Sequence, residues 1–176
     1  MNKETEEYTS LREEINQLCT AMDNIIGILY AFLAAYLAYS FEKEDTIYIL
    51  FSYIAIFPAY LLIISKRIAS CRISAYIAVF HEGGENKWET RLINFKTSKK
   101  LKIYNYIDAY HFPLIFADVA IFALYLIKTK WQFPLSLYEM GKLMVEIMFS
   151  ISIIVIAMKS RKISVKDYIN SWKEMK

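Results

Sequence analysis

Four apolar stretches constrain this chain more than any other feature: Asn24 to Phe41, Thr46 to Ser65, Phe112 to Lys130 and Tyr138 to Met158. Each approaches the roughly 20 residues a helix needs to cross about 30 Å of hydrocarbon. Lipid offers no partner for a bare N–H or C=O, and a continuous apolar run meets that demand as a helix. The pattern predicts an all-α integral membrane four-helix bundle. Its parts are an amphipathic cytoplasmic helix over 1–23, the first and second crossings over 24–65, a basic cytoplasmic helical hairpin over 66–111, the third and fourth crossings over 112–158, and a basic amphipathic tail over 159–176.

Charge orients the bundle. Of the 21 Lys and Arg, two precede the first stretch, nine lie between Lys66 and His111, and six follow from Lys159, which leaves only Lys43, Lys128, Lys130 and Lys142 for the opposite side. Short loops rich in Lys and Arg stay in the cytoplasm, so both termini and the middle loop are expected on the cytoplasmic side of the membrane. A chain that is 56% hydrophobic and 16% aromatic has too little polar surface for an ordinary soluble domain. The acidic start, Met1 to Glu7, predicts no cleavable signal peptide. Cys19 and Cys71 map to the reducing side without metal or redox spacing, so free thiols are expected.

Before the first crossing, Tyr8, Leu11, Ile15, Leu18 and Met22 recur at alternating spacings of three and four, with Glu6, Glu7, Glu13 and Glu14 on the other faces. Such a heptad-type seam needs a partner, which is a second copy, the same subunit's middle loop, or the lipid interface. The seam leads into Gly27, Ala31 and Ala35, four apart on one helix face. Small residues let helix backbones approach closely in lipid, within a subunit or between subunits. Leu11, Ile15, Leu18, Gly27, Ala31 and Ala35 are therefore the candidate oligomerisation residues. Pro58 removes a backbone donor and predicts a kink in the second crossing. Trp131, Phe133 and Tyr138 are read as interfacial anchors.

Two carboxylates, Asp118 and Glu146, lie inside apolar spans, where an ionisable group is costly and faces a bundle interior or an aqueous path. At ~1.5 Å per residue, Asp118 is ~9 Å in from Phe112 and Glu146 ~18 Å in from Met158, which predicts different depths and no shared proton. Either they shape an ion path, joined by Ser150 one turn from Glu146, or they are protonated or bonded to hydroxyls such as Tyr30, Tyr36, Tyr53, Tyr60, Ser150 and Ser152.

The middle segment carries the other candidates. Helical patterning continues from Lys66 to Phe80, breaks at Gly83-Gly84 and resumes near Asn86 with Trp88, Leu92 and Phe95, before Lys96, Lys99, Lys100 and Lys102 lead into Tyr104, Tyr106 and Tyr110. Lysines interleaved with aromatics hold phosphates and stack bases in single-strand binders, which makes Arg91, Lys96, Lys99, Lys100 and Lys102 candidate ligand residues. The same pattern follows from topology alone, with lysines marking the inner face and tyrosines the lipid interface. There is no Gly-rich phosphate loop, no His pair at metal spacing and no nucleophile beside a base, so no enzymatic activity, cofactor or metal is expected. In the tail, Val165, Tyr168, Ile169 and Trp172 share one helical face among Lys162, Lys166 and Lys173, as in a helix lying on anionic lipid.

The run Ser74-Ala75-Tyr76-Ile77-Ala78-Val79-Phe80-His81-Glu82, with Lys87-Trp88-Glu89-Thr90-Arg91 after it, resembles a pattern in small bacterial four-helix membrane proteins, some from anti-phage defence loci. Among these, the architecture is similar to the channel subunit of Hailong-type antiviral defence and, next to it, to the membrane subunit of Kiwa-type defence. The first resemblance implies a homo-oligomer, a tetramer, whose pore is an ion channel controlled by nucleotide oligomers from a partner nucleotidyltransferase. The expected function is an oligomeric channel or pore-type effector gated through its cytoplasmic helices by a nucleotide-type ligand or protein partner. The alternative is a non-conducting membrane anchor or sensor that recruits a soluble effector. A channel should align Asp118, Glu146 or Ser150 on a shared axis, whereas an anchor should bury them within each subunit.

Overall fold

The computed structural model describes residues 3–82, 88–97, 110–129 and 136–175, with backbone alone at Ile93, Phe95, Lys96, Thr97 and Arg161. Every regular element among them is helical: α1 (Lys3–Glu42), α2 (Ile47–Leu50), α3 (Tyr53–Tyr76) with a π-helical turn (Ile77–His81) at its end, α4 (Trp88–Thr97), α5 (His111–Lys128), α6 (Leu137–Arg161) and α7 (Val165–Lys173). Four helical stretches are long and apolar enough to cross a membrane: Lys3–Glu42, Ile47–His81, His111–Lys128 and Leu137–Ser160. Large apolar side chains such as Ile28, Ile54, Leu61, Ile127, Met144 and Met148 are exposed along them. Surfaces of this kind are compatible with a multi-pass membrane protein, because water would penalise them and lipid does not.

The chain forms two compact units, one of Met1–Asn24, Leu62–Asp108 and Ser160–Lys176, the other of Ile25–Leu61 and Ala109–Lys159. In the second unit, Leu29 and Leu33 of α1, Ile49 of α2, Tyr53, Ile56 and Tyr60 of α3, Leu114, Ile121 and Tyr125 of α5 and Ile153 of α6 are buried. Tyrosine hydroxyls tie these helices together. Tyr30 donates to the Pro113 carbonyl at 2.6 Å, Tyr36 to the Tyr48 carbonyl at 2.9 Å, and Tyr60 lies 2.9 Å from Nδ1 of the buried His111. Each bond lets a polar group sit among apolar neighbours without losing a partner. Pro58 falls inside α3, and the departure from α geometry lies earlier, at Phe51–Ser52 between α2 and α3. There the Ser52 amide closes a tight turn on the Ile49 carbonyl at 3.1 Å.

Where α1 ends, Nζ of Lys128 binds the Ser40 and Phe41 carbonyls at 2.6 and 3.0 Å, filling acceptors that a helix C-terminus leaves open. Nearby, Lys142 donates to Asp45 Oδ1 at 2.9 Å and Glu139 Oε1 at 2.6 Å, and Tyr138 donates to Asp45 Oδ2 at 2.8 Å. Tyr138 thus has a specific partner beyond the anchoring expected of it; Trp131 and Phe133 lie outside the described residues.

Burial pushes the Asp45 carboxyl up, but hydrogen bonds from Lys142, the Ile47 amide and Tyr138, with the Lys142 charge, outweigh it and lower it to about 2. A depressed carboxyl contributes stability above its ordinary pKa of about 3.9, and that contribution is lost as pH falls toward 2. Lys142→Met should therefore cost about 1–2 kcal/mol near neutral pH, a modest figure because Asp45 is partly exposed. In thermal unfolding of the purified protein, the gap between variant and parent should narrow as pH falls below about 4 and close near pH 2; a gap independent of pH would show that Asp45 is not what Lys142 holds.

In the first unit, the seam residues Tyr8, Leu11, Ile15 and Leu18 are half-buried and Met22 is buried. Their partner includes the chain's own middle segment. Tyr8 meets the His81 ring at 6.2 Å, Arg12 pairs with Glu89, and Tyr76 donates to Glu7 Oε1 at 2.9 Å. The tail is likewise occupied by its own chain. Helix α7 opens with a capping box between Ser164 and Asp167, Trp172 Nε1 donates to the Arg72 carbonyl at 3.3 Å, and the Trp172 ring stands edge-on to Tyr76 at 5.2 Å. Of the apolar face expected to lie on lipid, Trp172 meets the end of α3, while Val165, Tyr168 and Ile169 remain half-buried.

Candidate functional site

The most unusual chemistry in the second unit is a closed polar cluster among three of its helices. Tyr53 stands at the first position of α3, and its ring stacks on Phe149 of α6 with centroids 4.8 Å apart. That stacking aims the phenol between α5 and α6. Its hydroxyl lies 2.8 Å from Asp118 Oδ1 and 3.0 Å from Glu146 Oε1, while Ser150 donates to Asp118 Oδ1 at 3.0 Å and lies 3.4 Å from the Tyr53 hydroxyl. Tyr53, Asp118 and Glu146 are 1%, 3% and 0% exposed, so water does not compete for these contacts. The second Glu146 oxygen, Oε2, is buried without a hydrogen-bond partner.

The two carboxylates, expected at different depths and without a shared proton, both meet the Tyr53 hydroxyl. Ser150 bonds Asp118 directly, and Glu146, four residues before it, is offset by about 6 Å along α6. A phenol spans that offset. Depth counting along single helices had no means of registering a side chain contributed by a third. Among the hydroxyls considered in advance, Tyr53 and Ser150 join the carboxylates, whereas Ser152 bonds its own helix at the Met148 carbonyl.

The candidate oligomerisation residues divide. Leu11, Ile15 and Leu18 are partly covered by the chain itself, but Gly27, Ala31 and Ala35 are exposed, and a side chain added at Gly27 would meet no atom within 4 Å. Leu29 and Leu33 make the buried side of this part of α1 instead. Of the candidate ligand residues, Arg91 is exposed on α4. Lys99, Lys100 and Lys102, with Gly83 and Gly84, lie outside the described residues, as does the side chain of Lys96.

The residues carrying the family resemblance have structural partners that their spacing did not reveal. Glu82 accepts hydrogen bonds from the Glu89 amide and from the Thr90 amide and hydroxyl, placing a carboxylate on the first turn of α4, where unpaired N–H groups favour negative charge. Glu89, 2% exposed, pairs with Arg12, whose guanidinium also lies 5.9 Å over the Trp88 ring. His81 Nε2 lies 3.5 Å from Glu7 Oε1. No group of three or more His, Cys, Asp or Glu among the described residues is placed to hold a metal ion. Comparison with protein-family models, curated proteins and solved structures finds no match to this chain.

Proposed function

We propose that this protein is an oligomeric channel-type effector of the bacterial inner membrane, gated through its cytoplasmic helices by a nucleotide-type ligand or a protein partner in anti-phage defence. The observation that carries the reading is the Tyr53–Asp118–Glu146–Ser150 cluster. Ionisable groups in apolar spans are retained at a cost, and they mark ion or proton pathways. Both carboxylates are enclosed by their own chain, the outcome expected of an anchor, so a channel that uses them runs its path within each subunit rather than through a ring at a symmetry axis. The outward Gly27, Ala31 and Ala35 face supports association of subunits through α1. The Lys and Arg distribution supports cytoplasmic termini and a cytoplasmic middle hairpin. Arg91, Lys96, Lys99, Lys100 and Lys102 supply the phosphate-binding charge.

The non-conducting anchor or sensor is the second reading, and the same burial favours it: polar groups enclosed within one subunit need not conduct anything. Flux separates the two. Liposomes containing the full chain should pass protons or monovalent cations at least about tenfold faster than empty ones once short oligonucleotides occupy the cytoplasmic face, and Glu146→Gln should remove most of that gain. Rates equal to empty vesicles, with and without oligonucleotide, would leave the anchor as the surviving reading.

A further inference from the structure

A phenol has one proton. The Tyr53 hydroxyl nevertheless stands at hydrogen-bond distance from two carboxylate oxygens, Asp118 Oδ1 at 2.8 Å and Glu146 Oε1 at 3.0 Å. If both groups were ionised, Tyr53 could donate to one, and the other contact would set two electronegative oxygens against each other without hydrogen between them. One further proton resolves the conflict, and the geometry identifies the group that holds it. Asp118 Oδ1 receives two hydroxyls, from Tyr53 and Ser150, as suits a carboxylate. Glu146 is fully buried and its Oε2 has no hydrogen-bond partner among the described residues. A charged oxygen left bare among apolar groups costs far more than the carbonyl oxygen of a neutral acid.

We infer that Glu146, Tyr53 and Asp118 form a binding site for a single proton, carried on Glu146 Oε1. The Glu146 acid donates to the Tyr53 oxygen, Tyr53 donates to Asp118, and Ser150 donates to Asp118 from the other side. Binding takes one H⁺ from water onto the Glu146 carboxylate and alters no other bond. Passing the Glu146 proton to Tyr53 as the Tyr53 proton moves to Asp118 would transfer the charge from α5 to α6 with the heavy atoms in place. Among the described residues, Tyr125 of α5 also lies within electrostatic reach of Glu146, and it is in reach of Lys142 and Glu139 on Glu146's own helix. Lys142 does not neutralise Glu146, because its ammonium is held by Asp45 and Glu139. This site stands whether or not the protein conducts ions.

Infrared difference spectroscopy of the full chain in lipid nanodiscs tests it. At neutral pH the protein should show the C=O band of a buried carboxylic acid, lowered in D₂O, absent in Glu146→Gln and retained in Asp118→Asn. Should Glu146→Gln fail to fold, uniform ¹³C-glutamate labelling of the parent protein must shift the band, because an aspartic acid band would stay in place. No acid band in the parent overturns the inference, as does a band that survives Glu146→Gln or ignores glutamate labelling. Loss of the band on adding Na⁺ at constant pH also overturns it, identifying a metal cation rather than a proton as the ligand.

Discussion

Tyr53→Phe should lower stability by about 2–3 kcal/mol, seen as a fall in the thermal midpoint of the detergent-solubilised protein. The substitution keeps the ring and its stacking on Phe149, so the loss isolates the hydroxyl. Without it, Asp118 retains Ser150 as a donor, while Glu146 Oε1 loses the partner shown for it and Oε2 already has none. Single interhelical hydrogen bonds in membrane proteins average about 0.6 kcal/mol, because side chains find other partners in the unfolded state as well. The larger figure expected here reflects one hydroxyl serving two buried carboxyl groups on different helices. A change below about 0.5 kcal/mol would show that the cluster is hydrated or relaxes, and that the phenol does not link α5 to α6.

Arg12→Ala should have the largest effect in the other unit, about 3–4 kcal/mol, because it removes the guanidinium from a carboxylate that is 2% exposed. It also removes the cation lying over the Tyr8 and Trp88 rings, at 5.8 and 5.9 Å. Hydrogen exchange should accelerate across α4, Trp88–Thr97, and across the first turns of α1. Glu89→Gln in the Arg12→Ala background should recover part of the loss, since a neutral amide is less costly to bury than a carboxylate that has lost its guanidinium. Unchanged exchange in α4 would mean that the N-terminal part of α1 is not held to the middle segment through this pair. Under the proposed gating, an element with two packings is required, and this contact joins α4 to α1.

Four membrane-length helices were legible in the residue order alone, because lipid imposes a length and a backbone hydrogen-bonding requirement that each segment meets by itself. Face membership was legible too: Gly27, Ala31 and Ala35 share one side of α1, and Leu11, Ile15 and Leu18 another. Which side meets the chain's own helices is not a property of period. Packing placed Leu29 and Leu33 inside and left the small residues outside, so the face available to a second copy emerged only from the assembled second unit.

Asp118 and Glu146 mark the boundary most clearly. Their presence in apolar spans, and the hydroxyls within reach, were evident from the order of residues. Their convergence on Tyr53 was not, since it depends on the vertical offset of α5 and α6 and on a phenol entering from α3, 65 residues from Asp118 and 93 from Glu146 along the chain. The pairing of Arg12 with Glu89, 77 residues apart, has the same origin. Sequence by itself determined the helices and their membrane-spanning length and apolarity, because those follow from short-range hydrogen bonding and transfer free energy. Tertiary structure alone decided which charges meet, because a side chain chooses its partner by position in space, and packing between helices sets that position.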